Sequence, residues 1–257
     1  MTGVTNGDGD PRRAIELLWG VSAPPRRGPK PKLTTADVVR AAVALADAAD
    51  DIEAVTIRRV AEQLGVSPMS LYTYVPGRAE LLDLMIDHAH GELTAPGQDL
   101  GWRAALTAIA EDQWALFHRH PWLLQVTTSR SALGPHSFAK YERELRAVEG
   151  IGLGDVEMDA VVALVTGLVR STARSSLDHA RLVRTSGMTD AQWWQRAAPV
   201  LAEIPAADAA HYPLSSRVGT AAGEAHNAAE DPAFVFRFGL ARVLDGIEVL
   251  IASRTAG

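Results

Sequence analysis

Between Thr56 and Val75 the sequence sets two helix starts eleven residues apart, and few folds can satisfy both. Thr56 is placed to cap a helix, TIRRVAEQLG, on which Ile57, Val60, Ala61 and Leu64 share one apolar face and Gly65 suits a left-handed C-terminal position. Two residues further on, Ser67 and Pro68 supply a second N-cap with proline at the first helical position, opening the short helix SPMSLYTYV. A helix, a turn at Leu64 to Ser67 and a second short helix have the layout of a helix-turn-helix, whose second member enters the major groove of DNA.

The flanking pattern completes a small helical unit. Thr34 and Asp37 have capping-box spacing and open a helix carrying Val38, Val39, Ala42, Leu45 and Ala46, which stops near Asp50. Pro76-Gly77 punctuates, and Gly77 with Glu80 starts a fourth helix bearing Leu81, Leu82, Leu84, Met85 and Ile86. Beyond the break at Ala95 to Gly97, the 3.6-residue spacing predicts helices over 100–118, a short one from Pro121, then 137–149, 155–184 and 189–203. Asp231-Pro232 starts a last helix, and the Ala-, Pro-, Ser- and Gly-rich stretch 205–230 reads as a long loop or a poorly ordered segment. Alternating strand patterns are nearly absent and nothing repeats, so the expected fold class is all-α. Expected divisions are a tail and basic arm over 1–33, a helix-turn-helix domain over 34–94 and a larger helical domain over 95–257. Within the tail, AIELLWG (Ala14 to Gly20) reads as a helical turn without an evident partner, and four prolines between Ala23 and Leu33 force an extended path.

A net charge of −6 argues at first against nucleic acid, but its distribution reverses the inference. Residues 1–25 carry −1, residues 26–80 carry +1, and the remaining −6 falls wholly in 81–257. Arg26, Arg27, Lys30 and Lys32 form a basic arm just before the first capped helix, so a nucleic-acid face is expected at that end only. The chain has no cysteine, which excludes disulfides, thiolate metal sites and a thiol nucleophile. No secretory leader or membrane-length apolar run is evident, so the expected location is the cytoplasm.

On the second short helix, Pro68, Met69 and Ser70 offer apolar surface for a thymine methyl and a hydroxyl for a base or phosphate. Tyr72 and Tyr74 can reach phosphate oxygens, Arg78 can anchor the backbone from the next helix, and Arg58 can read guanine with two hydrogen bonds. Taken singly, each reads equally as half-buried packing or a solvated charge. Together, the run TIRRVAEQLGVSPMSLYTYVPGRAELLDLM closely resembles the tetracycline repressor (TetR) family, with its LGV turn, its LY-x-Y recognition helix and its Leu-rich fourth helix. The resemblance implies that Thr56, Arg58, Ser67, Pro68, Met69, Ser70, Tyr72, Thr73, Tyr74 and Arg78 fall at or beside the family's DNA contacts. It also implies a ligand-responsive repressor that binds a palindromic operator as a homodimer and is released by a small molecule.

At the far end, DPAFVFRFGLARVLDGIEVLI resembles the family's last helix, half of a four-helix dimer bundle. Phe236, Leu240, Val243, Ile247 and Leu250 recur at steps of four and three, and Val161, Val165 and Leu168 form a comparable face on the helix at 155–184. These are the expected interface residues. Aromatic side chains collect in the larger domain, where Trp114, Phe117, Trp122, Phe138 and Tyr141, with Met85 and His88 on the fourth helix, are expected to line an apolar effector pocket. Arg170 and Arg174, one turn apart, can meet a ligand carboxylate or an acidic side chain. His118 with His120, and His88 with His90, have the wrong spacing to clasp a metal from one helix face, so no metal or other cofactor is expected. Family members that bind a magnesium-tetracycline chelate place histidine near the position of Thr127, and this departure argues against tetracycline. Two other readings differ in class. A ligand-independent DNA binder would leave the large aromatic-rich domain without a purpose, and an all-α enzyme would show a nucleophile elbow, P-loop or dinucleotide fingerprint that the sequence lacks.

Overall fold

The computed structural model describes residues 4–5, 9–21, 33–97, 99–127, 131–204, 210–226, 228 and 231–255. The basic arm, Arg26 to Lys32, lies outside the described residues. Among the described residues, the regular structure is helical apart from one two-residue parallel ladder, β1 (Val4–Thr5) on β2 (Val126–Thr127), which no alternating pattern in the sequence signals.

The tail forms a helix, α1 (Pro11–Leu18), capped by Asp10, whose carboxylate accepts the Arg12 amide at 3.0 Å, with Pro11 at the first position. The three-helix unit then follows as α2 (Thr35–Ala49), α3 (Ile57–Leu64) and α4 (Pro68–Leu71), with a 3-10 turn over Ile52–Ala54 between the first two. Thr34 and Asp37 make the reciprocal capping box, and Gly65 ends α3 at a φ of 67°, where a side chain would be strained. α4 is only one turn long. Tyr72 to Tyr74 continue as hydrogen-bonded turns on Ser70 and Leu71, so the expected nine-residue helix is a four-residue helix with a turn behind it.

α5 (Arg78–His90) is the hub of this end of the molecule, because α1, α2 and α7 (Pro135–Arg146) all pack on it. It is apolar around much of its circumference, with Leu81, Leu82, Met85, Ile86 and Ala89 all buried. α1 covers one side, which places AIELLWG: Trp19 at its end donates its indole N–H to the Leu133 carbonyl at 2.8 Å and meets Phe138 edge-on, with centroids 5.9 Å apart. α6 (Trp102–Arg119) leads into a 3-10 turn over Pro121–Leu124. α8 (Asp155–Ser186), α9 (Asp190–Ala202), α10 (Pro213–His226) and α11 (Pro232–Thr255) complete the chain. The stretch expected to be a loop, 205–230, therefore contains a fourteen-residue helix. Gly219 and Gly223 hid it, since glycine costs a helix about 1 kcal/mol without forbidding one.

By contact density the chain divides into one unit of 1–170 with 244–257 and a second of 171–243, the boundaries falling inside α8 and α11. In the first unit, Arg103 on α6 pairs with Asp245 and Glu248 on α11, and Arg254 pairs with Glu157 on α8.

Candidate nucleic-acid interface and effector domain

Leu71 and Val75 are fully buried beneath α4 and fix its roll. That roll turns Pro68, Met69, Ser70, Tyr72 and Thr73 outward, with Met69 76% exposed, while Tyr74 is half-buried. The Ser67 hydroxyl accepts the Ser70 amide and lies 2.8 Å from the Ser70 hydroxyl, so both serines are held at the start of the helix. Thr56 accepts the Arg59 amide at 3.2 Å, and its neighbour Arg58 is exposed and, among the described residues, pairs with Glu62 one turn on, at 2.9 Å. An exposed pair of this kind contributes little stability, so Arg58 is available to a stronger anionic partner. Arg59 is also exposed on the first turn of α3. Nothing in the residue pattern separates it from Arg58, and both are exposed.

Arg78 sits differently. Its Nε donates to the Val55 carbonyl at 3.0 Å, and its Nη2 donates to the Ile52 carbonyl at 3.1 Å and to Glu53 at 2.9 Å. The guanidinium therefore ties the first turn of α5 to the approach to α3. The charge at this position is thus engaged by two carbonyls and by Glu53.

A second polar layer joins the head to the body. His120, almost wholly buried, lies 2.8 Å from Asp47 through Nδ1 and 3.0 Å from Glu92 through Nε2. The same Asp47 oxygen accepts the Trp122 indole N–H at 2.8 Å, and Arg119 holds the other oxygen of Glu92 at 2.7 Å. These neighbours pull the Glu92 carboxyl below its ordinary range against the opposing effect of burial. Gln125 closes the layer: its amide donates to the Asp50 carbonyl and accepts from the Ile52 amide, each at 2.9 Å. From the other side, Arg170 on α8 donates to the Val126 carbonyl at 2.9 Å and lies 6.0 Å from the centre of the Phe117 ring.

The expected pocket residues are thus only partly gathered. Phe117 and Arg170 meet. Met85 and Trp122 are sealed in the core, and Trp122 serves the head junction. Trp114 stacks obliquely on His118 at 4.6 Å, and His88 is half-buried, with burial pushing its pKa down. Phe138 is half-exposed beneath Trp19, and Tyr141, also exposed, donates to Asp159 at 2.7 Å. Arg174 lies on the exposed side of α8. Deeper in the body, α6 and α7 share a polar cluster that the residue pattern did not flag: Gln113 Nε2 donates to Glu144 at 2.6 Å, and Lys140 pairs with the same oxygen at 2.5 Å.

The expected dimer-interface residues differ in their exposure. Val161, Val165, Phe236, Leu240 and Ile247 are buried within the single chain, Leu168 and Val243 partly so, and only Leu250 is open. Both helices are apolar on more than one side, so periodicity found a buried stripe without telling which partner buries it. In the first unit the outward stripe of α8 runs through Val156, Ala160, Leu164 and Gly167, and that of α11 through Gly246, Val249 and Leu250.

An all-helical chain with an exposed recognition helix, braced against a larger helical body, has the architecture of a helix-turn-helix DNA-binding regulator. Residues 95–251 match the family model described as the tetracyclin repressor-like C-terminal domain. The chain is 44% identical over 256 residues to the HTH-type transcriptional repressor DrrR1 of Streptomyces coeruleorubidus, covering 97% of this chain and 90% of that one. Its fold is similar to that of apo ActR from Streptomyces coelicolor, with a TM-score of 0.70 at 23% identity, over 88% of this chain and all of that one. It is similar as well to ActR in complex with actinorhodin, with a TM-score of 0.69 at 24% identity, over 86% and 99% of the two chains. The chain belongs to the TetR family of transcriptional regulators. Among the described residues, no helix is long and apolar enough to cross a membrane.

Proposed function

We propose that this chain is a homodimeric repressor that holds a palindromic operator through α3 and α4 and releases it when a small apolar or aromatic molecule enters the helical body. The observation that carries the reading is the outward face of α4, where Met69, a large apolar side chain, stands in solvent beside two serines and Tyr72 on a helix whose other side is fully packed. A helix of one turn reads only a few base pairs, so two copies in fixed register are needed for useful affinity. The outward stripes of α8 and α11 are the proposed contact between copies, small and apolar enough for close helix packing.

Release follows from linkage. A ligand that favours one arrangement of the body shifts the operator equilibrium by its differential affinity, and a coupling of about 1 to 3 kcal/mol lowers operator affinity about 5- to 150-fold. α5 is the lever in this proposal, since Arg78 at one end sets the approach to α3 and His88 at the other lies in the body. A gel shift on the DNA upstream of the chain's own gene, repeated with apolar aromatic compounds, tests it. Retarded fragments that a compound releases support the reading, and a chain that binds no such fragment sinks it.

A further inference from the structure

His120, at the end of α6, lies between two acids that come from different parts of the chain. Its Nδ1 is 2.8 Å from Asp47 of α2 and its Nε2 is 3.0 Å from Glu92, just past α5, with only 6% of the side chain exposed. Turning the ring over would set two C–H groups against the carboxylates, so these contacts fix which atoms face them. A neutral imidazole carries a single N–H and can donate to one of the two oxygens. Its other nitrogen would then direct a lone pair at a carboxylate oxygen. Both contacts are favourable only when both nitrogens carry hydrogen.

The surrounding charge agrees. Asp47 and Glu92 bring two negative charges, and Arg119 answers one of them through the other oxygen of Glu92. The Trp122 indole, which also donates to Asp47, is neutral, so one further positive charge balances the layer. Glu92 is ionised, since the donors Arg119 and His120 hold its carboxyl below the ordinary range although burial opposes them. His88 on α5 also lies within electrostatic range of the ring, and burial above all favours its neutral form. The positive charge therefore falls to His120, where a buried ion is tolerated because it is paired on both sides.

We infer that His120 is a positioning residue that works as an imidazolium, tying Asp47 of α2, the helix against which α3 packs, to Glu92, so that the stance of the DNA-reading helices depends on a bound proton. The closed tie takes up the proton and a broken tie gives it up, so by linkage a rising pH loosens it. A head no longer held loses the fixed register that two half-sites require, and operator affinity falls as the proton leaves. The effect on the operator rests on the proposed function; the protonated tie does not.

Nitrogen NMR of the full chain, made with isotope-labelled histidine, reads the ring directly, the His120 signals being those that His120→Gln lacks. At pH 7, where a free imidazole is mostly neutral, both ring nitrogens of His120 should carry hydrogen, and a single protonated nitrogen overturns the inference. Asp47→Asn removes one of the two carboxylate charges, so its ring should lose the second proton about one pH unit or more below the wild type; an unchanged titration also overturns the tie. Gel shifts on the DNA upstream of the chain's own gene, at pH 6.5 and pH 8.5, give the functional reading. Over that interval the wild type should lose affinity severalfold more than His120→Gln, which cannot titrate, and equal losses would show that the proton has no part in positioning the head. A fragment bound at neither pH would sink the repressor reading, while the ring nitrogens would still decide the tie.

Discussion

His90, at the end of α5, provides a quantitative test of how α5 and α7 are packed. Its Nδ1 lies 2.9 Å from the Ser137 hydroxyl, and its pKa is lowered from 6.5 to about 3, first by burial and then by the nearby positive charges of Lys140, Arg143 and Arg170. The folded chain thus holds the imidazole neutral over a range where the unfolded chain protonates it. A group whose folded pKa is depressed contributes stability that is fully present above its unfolded pKa, here 6.5, and is lost as the pH falls towards 3. Each pH unit in that window removes up to about 1.4 kcal/mol, so lowering the pH from 8 to 5 should cost at most about 2 kcal/mol through His90. His90→Gln retains a partner for Ser137 and cannot titrate. Urea denaturation of both proteins at pH 8 and pH 5 should show the wild type losing stability that the variant keeps, with similar m-values. Equal losses in the two proteins would mean that the imidazole charges freely in the folded state and that α5 and α7 are not closed around it.

Three further outcomes are expected. Gln125→Met removes two hydrogen bonds at the head junction and orphans the buried Ile52 amide, so stability should fall by about 1 to 3 kcal/mol by chemical denaturation; no change would disprove the bridge. Arg58→Ala should relax base preference in a selection on random DNA, whereas Tyr72→Phe should weaken binding without altering the selected motif, and an unchanged motif for Arg58→Ala removes its assigned role. Leu164→Asp with Val249→Asp places charge on the proposed intersubunit stripe, where unpaired burial costs several kcal/mol, so sedimentation should show a helical monomer; a persistent dimer places the interface elsewhere.

Local signals were legible where the chain decides structure by itself. The cap at Thr34, the turn at Gly65 and the Ser67-Pro68 start each act through neighbouring backbone, and each appears at its expected place. What was not legible depends on distant partners. Arg78 looks like a free cation in sequence because the carbonyls that hold it belong to residues 52 and 55, across a turn. The stripe through Phe236, Leu240 and Ile247 is buried in the single chain, and periodicity marks burial without naming the burying surface. The polar cluster at Gln113 and Glu144 escaped notice since a glutamine and a glutamate thirty-one residues apart carry no local pattern.

The head junction bears on how readily regulators of this kind can be recombined. The Gln125 side-chain amide bonds main-chain atoms of the turn after α2, so any head that preserves that turn offers it the same two groups. His120 and Trp122 are more exacting, because both depend on the one carboxylate of Asp47. A chimera that grafts another helical head onto this body therefore keeps His120 Nδ1 and the Trp122 indole N–H partnered only if it carries an aspartate at the position of Asp47.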